Sequence, residues 1–315
     1  MGKKVAVPQS LSQAGKDYLV NHGMNVVELP DTKAETITSK AADVDGIVLM
    51  TEPFPNETIN RLPNLKIIAR HGVGFDNIDT DYMAQNNIWV TITPNANAAT
   101  VAETTLAEIL DISKNVTAIS DHMRKGDFNY KSSHMGFDLA GKTLGIMGYG
   151  RIGKMVAKKV SSLDLNILIY DPFVNSAEYG KVVDKETLLT NSDVITLHMA
   201  VTPENKQGFS KREFELMKKS AVLINLGRGS LVKQDDLIDA LKTREIRAAA
   251  LDVFDEEPLP LTSDFYKLDN VLLTPHIASN TTECMARMAV DSASEVVRVL
   301  SAESPKWPVN SINRK

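Results

Sequence analysis

Short apolar runs separated by stretches of helical spacing recur along nearly the whole chain. In the first hundred residues, Val5 to Val7, Met24 to Glu28, Gly46 to Leu49, Lys66 to Ala69 and Ile88 to Thr91 read as strands. Between them helices are predicted near Ser10 to His22, Thr32 to Lys40, Asn56 to Arg61 and Asp79 to Gln85. Such alternation predicts a parallel sheet with crossover helices. After the small-residue connection Asn95 to Ala99, the positions Val101, Ala102, Leu106, Ile109, Leu110 and Val116 predict one long helix, and the polar piece Arg124 to Leu139 predicts irregular structure. Val194 to Leu197, Ala221 to Leu226, Ile246 to Leu251 and Val271 to Leu273 then read as buried strands, with a helix over Gln234 to Lys242. The last pattern, Met285, Met288, Ala289, Ser292, Val296, Val299 and Leu300, is an amphipathic helix.

The middle of the chain carries the most informative stretch. Thr143 to Met147 is a short apolar run, Gly148, Gly150 and Gly153 follow at G-x-G-x-x-G spacing, and Ile152, Met155, Val156, Val160 and Leu163 continue at helical spacing. A second apolar run, Ile167 to Tyr170, stops at Asp171, which lies 18 residues beyond Gly153. This is the strand, glycine turn, helix, strand, acid order of a dinucleotide-binding unit: the glycines admit the pyrophosphate and the helix N-terminus attracts it. Asp171 would accept hydrogen bonds from the adenosine ribose. A plain tight turn is the alternative. Such a turn normally opens its domain, yet about 140 residues precede it, so the first part of the chain is predicted to be a separate domain.

Composition narrows the classes. Hydrophobic residues at 43% and charged residues at 24% of 315 positions are ordinary for a globular protein. The net charge of −5 and the absence of a large basic cluster argue against a nucleic-acid surface. Cys284 is the only cysteine, which excludes an internal disulfide and argues against structural zinc; no metal site is expected. No apolar run reaches membrane-spanning length, so no membrane association and a cytoplasmic location are expected.

Four loops that follow predicted strands concentrate reactive residues. Arg70 to Asn77 contains two glycines that let backbone amides turn toward an anion; a turn with Asp76 or Asn77 capping the next helix is the alternative. Arg228 lies between glycines in Asn225 to Ser230, Asp252 and Glu257 lie in Leu251 to Pro258, and His276 lies in Leu273 to Ile277. Ligands of parallel sheets bind beyond the carboxyl ends of strands. There a histidine could exchange a proton, a carboxylate hold its tautomer, and an arginine stabilise a carbonyl oxygen. By spacing alone, His276 fits a buried hydrogen-bonded histidine as well, Glu257 a helix-end acid, and Arg228 a surface fork.

The motifs RHGVGFDNID from Arg70, GKTLGIMGYGRIG from Gly141, TLH from Thr196, NLGRGSLV from Asn225, LDVFDEEPL from Leu251 and PHIASNT from Pro275 occur in that order. On them the chain resembles the D-isomer-specific 2-hydroxyacid dehydrogenase family, most of all its phosphoglycerate-dehydrogenase-like branch. The resemblance implies an α/β protein of two doubly wound parallel-sheet domains. A Rossmann NAD domain, 99–280, is inserted into a flavodoxin-like substrate and catalytic domain, 1–98 with 281–315. It implies His276 as the acid/base, Glu257 as its partner, and Arg228 as the contact to substrate carboxylate and carbonyl. Gly148, Gly150, Arg151, Ile152, Gly153, Asp171 and His198 would bind the cofactor, with Asp252 on the nicotinamide carboxamide. The amides of Val73 and Gly74 would take the substrate carboxylate and Arg70 its far end. A homodimer through the NAD domain, a small 2-hydroxy or 2-keto acid substrate, and NAD rather than NADP complete the expectation, since no arginine follows Asp171 in Pro172 to Asn175.

Two departures from the family pattern stand out. Met199, Ala200 and Val201 intervene before Thr202 and Pro203, which predicts a looser cofactor loop, and a tryptophan common before the glycine unit is Phe128 or absent. His71 is read as a supporting or solvent residue, His198 as a cofactor contact or a core histidine, and His22, His122 and His134 as isolated. The competing activities are glyoxylate, hydroxypyruvate or other keto-acid reduction, formate oxidation, and NAD(H) sensing of the corepressor kind without turnover.

Overall fold

The computed structural model describes residues 2–312. Its chain divides into two compact units, Met1–Asn97 with Asn280–Lys315, and Ala98–Ser279. The first holds β1 (Lys4–Pro8), α1 (Gln13–Asn21), β2 (Asn25–Leu29), α2 (Ala34–Lys40), β3 (Gly46–Leu49), β4 (Ile67–Arg70), α3 (Thr80–Gln85) and β5 (Trp89–Thr91). The last helix of the chain, Thr282–Leu300, belongs to it as well. Its five strands are all parallel in the order β2-β1-β3-β4-β5, the flavodoxin-like arrangement.

Both faces of this sheet are covered, which is why its central strands read as unbroken apolar runs. On one face Ala289, Ala293 and Val296 of the last helix pack among Val5, Val7, Val48, Ile67 and Ala69. The other face collects Ile37, Ile47, Leu49, Ile68 and Met83. Each fully buried Ile, Leu or Met adds roughly 1.5–3 kcal/mol relative to exposure. The predicted helix at Asn56–Arg61 is a 3₁₀ segment instead.

The second unit begins with α4 (Ala98–Lys114) and α5 (Val116–Arg124) and continues with β6 (Thr143–Met147), α6 (Arg151–Val160), β7 (Asn166–Tyr170), β8 (Lys181–Val182), α7 (Lys185–Asn191) and β9 (Val194–Leu197). It ends with α8 (Lys211–Leu216), β10 (Val222–Asn225), α9 (Gln234–Lys242), β11 (Ala248–Leu251) and β12 (Val271–Leu273). The seven strands are parallel in the order β12-β11-β10-β9-β6-β7-β8. Counted from β6 as first strand, this is the Rossmann order with one further strand, and the switch point lies between β6 and β9.

Two differences from the predicted elements have local causes. Asn115 adopts a left-handed conformation, φ 54°, which ends the long helix and makes Val116 the start of a second one. In the polar piece, Phe128–Ser132 forms a 3₁₀ turn whose first amide-accepting cap is Asp127. Among the described residues no helix is long and apolar enough to cross a membrane.

Candidate active site

The glycine turn is built by two different constraints. Gly148 sits at φ +94°, and a β-carbon there would lie 2.7 Å from the carbonyl carbon of His198; one at Gly153 would lie 2.0 Å from the Gly148 oxygen. These two glycines are required by the protein itself. Gly150 is not: its φ of −74° is ordinary and a β-carbon would meet nothing within 4 Å. Open space at this one glycine, where α6 begins with free amides, fits a phosphate group. Arg151 is exposed, Ile152 half-buried and Gly153 buried.

At the end of β7, the carboxylate of Asp171 accepts the Tyr149 amide at 2.7 Å on Oδ2 and the Phe173 amide at 2.9 Å on Oδ1. It remains half-buried, and a carboxylate accommodates about four hydrogen bonds, so acceptor capacity is left. The residues present therefore fit a dinucleotide, with the ribose at Asp171 and the pyrophosphate at Gly150. His198, the residue after β9, contacts Thr196 Oγ1 through Nε2 at 3.0 Å, and burial lowers its pKa to about 4, so the ring is neutral at pH 7. The loop after it is tied by Asn205, which takes the Thr202 amide at 2.7 Å and donates to the Ala200 carbonyl at 2.8 Å.

Beyond β10, β11 and β12 the structure gathers the predicted acid/base set. His276 Nδ1 lies 2.7 Å from Glu257 Oε2, and the Phe254 amide donates to the other oxygen, Oε1, at 3.0 Å. With Nδ1–H donating to a carboxylate, Nε2 is the nitrogen left to exchange a proton. The two side chains are 33% and 32% exposed, open enough for a ligand to reach. Burial raises the Glu257 pKa, but the hydrogen bond and charge of His276, the Phe254 amide and the Arg228 charge outweigh it and hold the carboxyl below its usual value. Arg228, half-buried, donates from Nη1 to the Gly227 carbonyl at 2.8 Å, while Asn225 braces the same loop through the Arg228 carbonyl at 2.9 Å.

Asp252, the expected contact of the nicotinamide carboxamide, is held by its own chain. It is 0% exposed. Its Oδ1 accepts the Thr274 hydroxyl at 2.6 Å and the Ile277 amide at 2.7 Å, its Oδ2 accepts the Ala278 amide at 2.8 Å, and its backbone carbonyl accepts the His276 amide at 2.9 Å. The carboxylate thus clamps the loop that presents His276. That loop needs a clamp, because His276 adopts φ +55°, a conformation that costs an L-residue roughly 1–2 kcal/mol.

In the other unit, Arg70 closes β4 at 5% exposure and donates from Nη1 to the His71 carbonyl at 2.8 Å. The amides of Val73 and Gly74 have no hydrogen-bond partner among the described residues. His71, expected as a supporting or solvent residue, is buried; burial first and the Arg70 charge second lower its pKa to about 4. Nor are the remaining histidines isolated. His22 stacks on Tyr18, and His122 and His134 stack on either side of Tyr130 at 3.5 and 3.6 Å between ring centres. Phe128 is 61% exposed under the Lys131 ammonium.

A seven-stranded parallel sheet with a glycine turn after β6 and an acid after β7 defines a dinucleotide-binding domain, and a paired histidine and glutamate stand at the carboxyl edge of the same sheet. Residues 106–278 match the NAD binding domain of the D-isomer specific 2-hydroxyacid dehydrogenases, and the chain belongs to that oxidoreductase family. It is 36% identical to a D-3-phosphoglycerate dehydrogenase of Archaeoglobus fulgidus over 98% of this chain, spanning 59% of that protein's length. A glyoxylate reductase of Thermofilum pendens is 37% identical over 88% of this chain and 84% of its own. The solved NAD-dependent formate dehydrogenase of Staphylococcus aureus, in complex with NAD, superposes with a TM-score of 0.90 at 26% identity, covering 98% of this chain and 100% of that one.

Proposed function

We propose that the protein transfers hydride reversibly between NAD(H) and C2 of a small D-2-hydroxy acid, interconverting it with the 2-keto acid. The observation that carries this reading is the 2.7 Å pair of His276 Nδ1 and Glu257 Oε2. The cofactor, when bound, accepts or supplies the hydride. His276 takes the hydroxyl proton on Nε2 in oxidation and returns it in reduction, Glu257 stabilises the imidazolium, and Arg228 polarises the carbonyl. In this reading the unpartnered amides of Val73 and Gly74 take the substrate carboxylate. Asp171 favours NAD over NADP, because its carboxylate would repel a 2′-phosphate.

The relationship to a phosphoglycerate dehydrogenase makes 3-phosphoglycerate the first substrate to try. Burial of Arg70 favours a second reading, an unphosphorylated keto acid such as glyoxylate or hydroxypyruvate. A homodimer through the NAD domain is part of this reading: α5 buries none of its residues, and Met123, Phe128 and Met135 are each exposed apolar side chains that a second copy would cover. The single buried Cys284 suits a reducing cytoplasm.

The test is NADH and NADPH oxidation with phosphohydroxypyruvate, hydroxypyruvate, glyoxylate and pyruvate, together with NAD reduction by formate, for the protein and for its His276→Asn variant. Turnover of at least one keto acid is expected with NADH preferred, and the variant should lose ~10²- to 10⁴-fold in kcat while still binding NADH. Tight NADH binding without turnover of any compound would replace the enzyme reading with a sensor. Equal rates with all keto acids would remove the phosphoglycerate branch alone.

A further inference from the structure

Glu108 is a charged residue type in an apolar place. It lies on α4 at 4% exposure, on the helix face that also buries Val101, Thr105, Ile109 and Ile112. Its Oε1 is 3.1 Å from Thr274 Oγ1, and that same hydroxyl is 2.6 Å from Asp252 Oδ1. One hydroxyl carries one proton, so Thr274 cannot donate to both carboxyl groups. One of the two acids must bring a proton of its own.

The surroundings decide which. Asp252 also receives the amides of Ile277 and Ala278, which stabilise its anion. The 2.6 Å contact from Thr274 has the length of a hydroxyl donating to a charged carboxylate, whereas 3.1 Å suits a neutral partner. Glu108 Oε2 is buried with no hydrogen-bond partner among the described residues, which is tolerable for a carboxylic acid carbonyl and costly for an anion.

We propose that Glu108 is a positioning residue for the loop that carries His276: as the neutral acid it donates to Thr274, which donates in turn to Asp252 and completes the clamp. This rests on the assignment of His276 as acid/base. Loss of the Glu108 proton leaves one hydroxyl proton for two adjacent carboxylates. The loop is then released and the catalytic geometry loosens.

Direction and neighbours agree with this. Burial first, then the Asp252 charge, raise the Glu108 pKa to about 8, with the Thr274 hydrogen bond lowering it and Asp111 raising it. Of the elements packed against α4, strands β10 and β11 bring no titratable side chain, and α5 buries none of its residues. On α6, Arg151, Lys154 and Lys158 are exposed and Lys159 pairs with Glu103 at 2.8 Å. No cation faces Glu108 from these elements. Since the folded-state pKa lies above the unfolded one, the folded chain keeps a proton between about pH 4.5 and 8 that the unfolded chain has released. The stability contributed by this group is present below that window, declines through it, and is lost above it.

Three measurements on the full chain, Glu108→Gln and Glu108→Leu test the proposal. Glutamine can donate to Thr274 but cannot ionise; leucine can do neither. First, the thermal midpoint of the protein should fall from about pH 5 to about pH 8 more steeply than that of Glu108→Gln. Second, amide exchange of the peptide holding Ile277 and Ala278 at neutral pH should be about ten-fold faster in Glu108→Leu and little changed in Glu108→Gln. Third, kcat for hydroxy-acid oxidation, in which His276 acts as the base, should fall at alkaline pH in the protein but not in Glu108→Gln. Identical pH dependence of stability in the protein and Glu108→Gln, or unchanged exchange in Glu108→Leu, overturns the proposal. Absence of turnover with any substrate overturns the assignment of His276, and the first two measurements then still decide the state of Glu108.

Discussion

Asp171 and Asp252 make an instructive pair. Both follow parallel apolar strands, β7 and β11, both open on the carboxyl edge of one sheet, and both were expected to touch the cofactor. Asp171 receives one amide on each oxygen and stays partly exposed. Asp252 receives two donors on one oxygen and one on the other, and no solvent reaches it. The first keeps about half of its acceptor capacity beside solvent; the second gives most of it to its own chain. The end of a strand therefore says how far an acid reaches, and the count of internal donors says what it is for.

Replacing Asp252 with Ala should give the largest effect. It strands the Thr274 hydroxyl and the amides of Ile277 and Ala278, each costing about 1–3 kcal/mol when left unpaired in the interior. A total loss of about 3–5 kcal/mol in urea unfolding is expected. With His276 no longer fixed, kcat should drop at least ~10²-fold. A variant of unchanged stability whose only defect is weak NADH binding would put Asp252 in the same class as Asp171.

Asp171→Ala should act on the cofactor instead. Hydrogen bonds to a charged group are worth about 1.5–3 kcal/mol, so the Kd for NADH should rise about 10- to 100-fold. The Tyr149 and Phe173 amides lose a partner near solvent, so the stability cost should be well below that of Asp252→Ala. Discrimination between NADH and NADPH should also shrink, because the repulsion of a 2′-phosphate is gone. Unaltered discrimination would separate Asp171 from the ribose.

Sequence periodicity carried the arrangement of strands a long way, because strands buried on both faces are apolar without interruption. It failed where elements are short or polar: β8, α7 and α8 were not anticipated, and Asn115 broke a helix by a backbone conformation that periodicity does not encode. On α4 it also misjudged the face. Leu110 belongs to the apolar pattern and is 39% exposed, whereas Glu108, which that pattern leaves out, is 4% exposed. In the fold Val101, Thr105, Glu108, Ile109 and Ile112 are all buried along this helix, and an apolar pattern does not register the acid among them. The same limit applied at Asp252 and Thr274, whose work is visible only once three separate segments are close. The pairing of Glu257 with His276 entered through family resemblance, since a sequence separation of 19 says nothing about distance.

The smallest effect on stability, and the sharpest check on where the cofactor lies, is expected from Gly150→Ala. The comparison with Gly153 sets the scale. At Gly153 an added β-carbon would sit 2.0 Å from the Gly148 oxygen, so the turn or α6 must shift, at a cost of several kcal/mol, on the order of the larger single-residue losses. At Gly150 the backbone angle already suits alanine and the new methyl group would enter open space. Alanine caps a helix slightly less well than glycine, so the thermal midpoint should drop by the equivalent of less than about 1 kcal/mol. NADH affinity should nevertheless fall about ten-fold, because the methyl group fills the space a pyrophosphate needs to approach the backbone. If Gly150→Ala bound NADH as tightly as the unmodified protein, the open side of the turn would not be the phosphate side, and Asp171 would have to be reassigned with it.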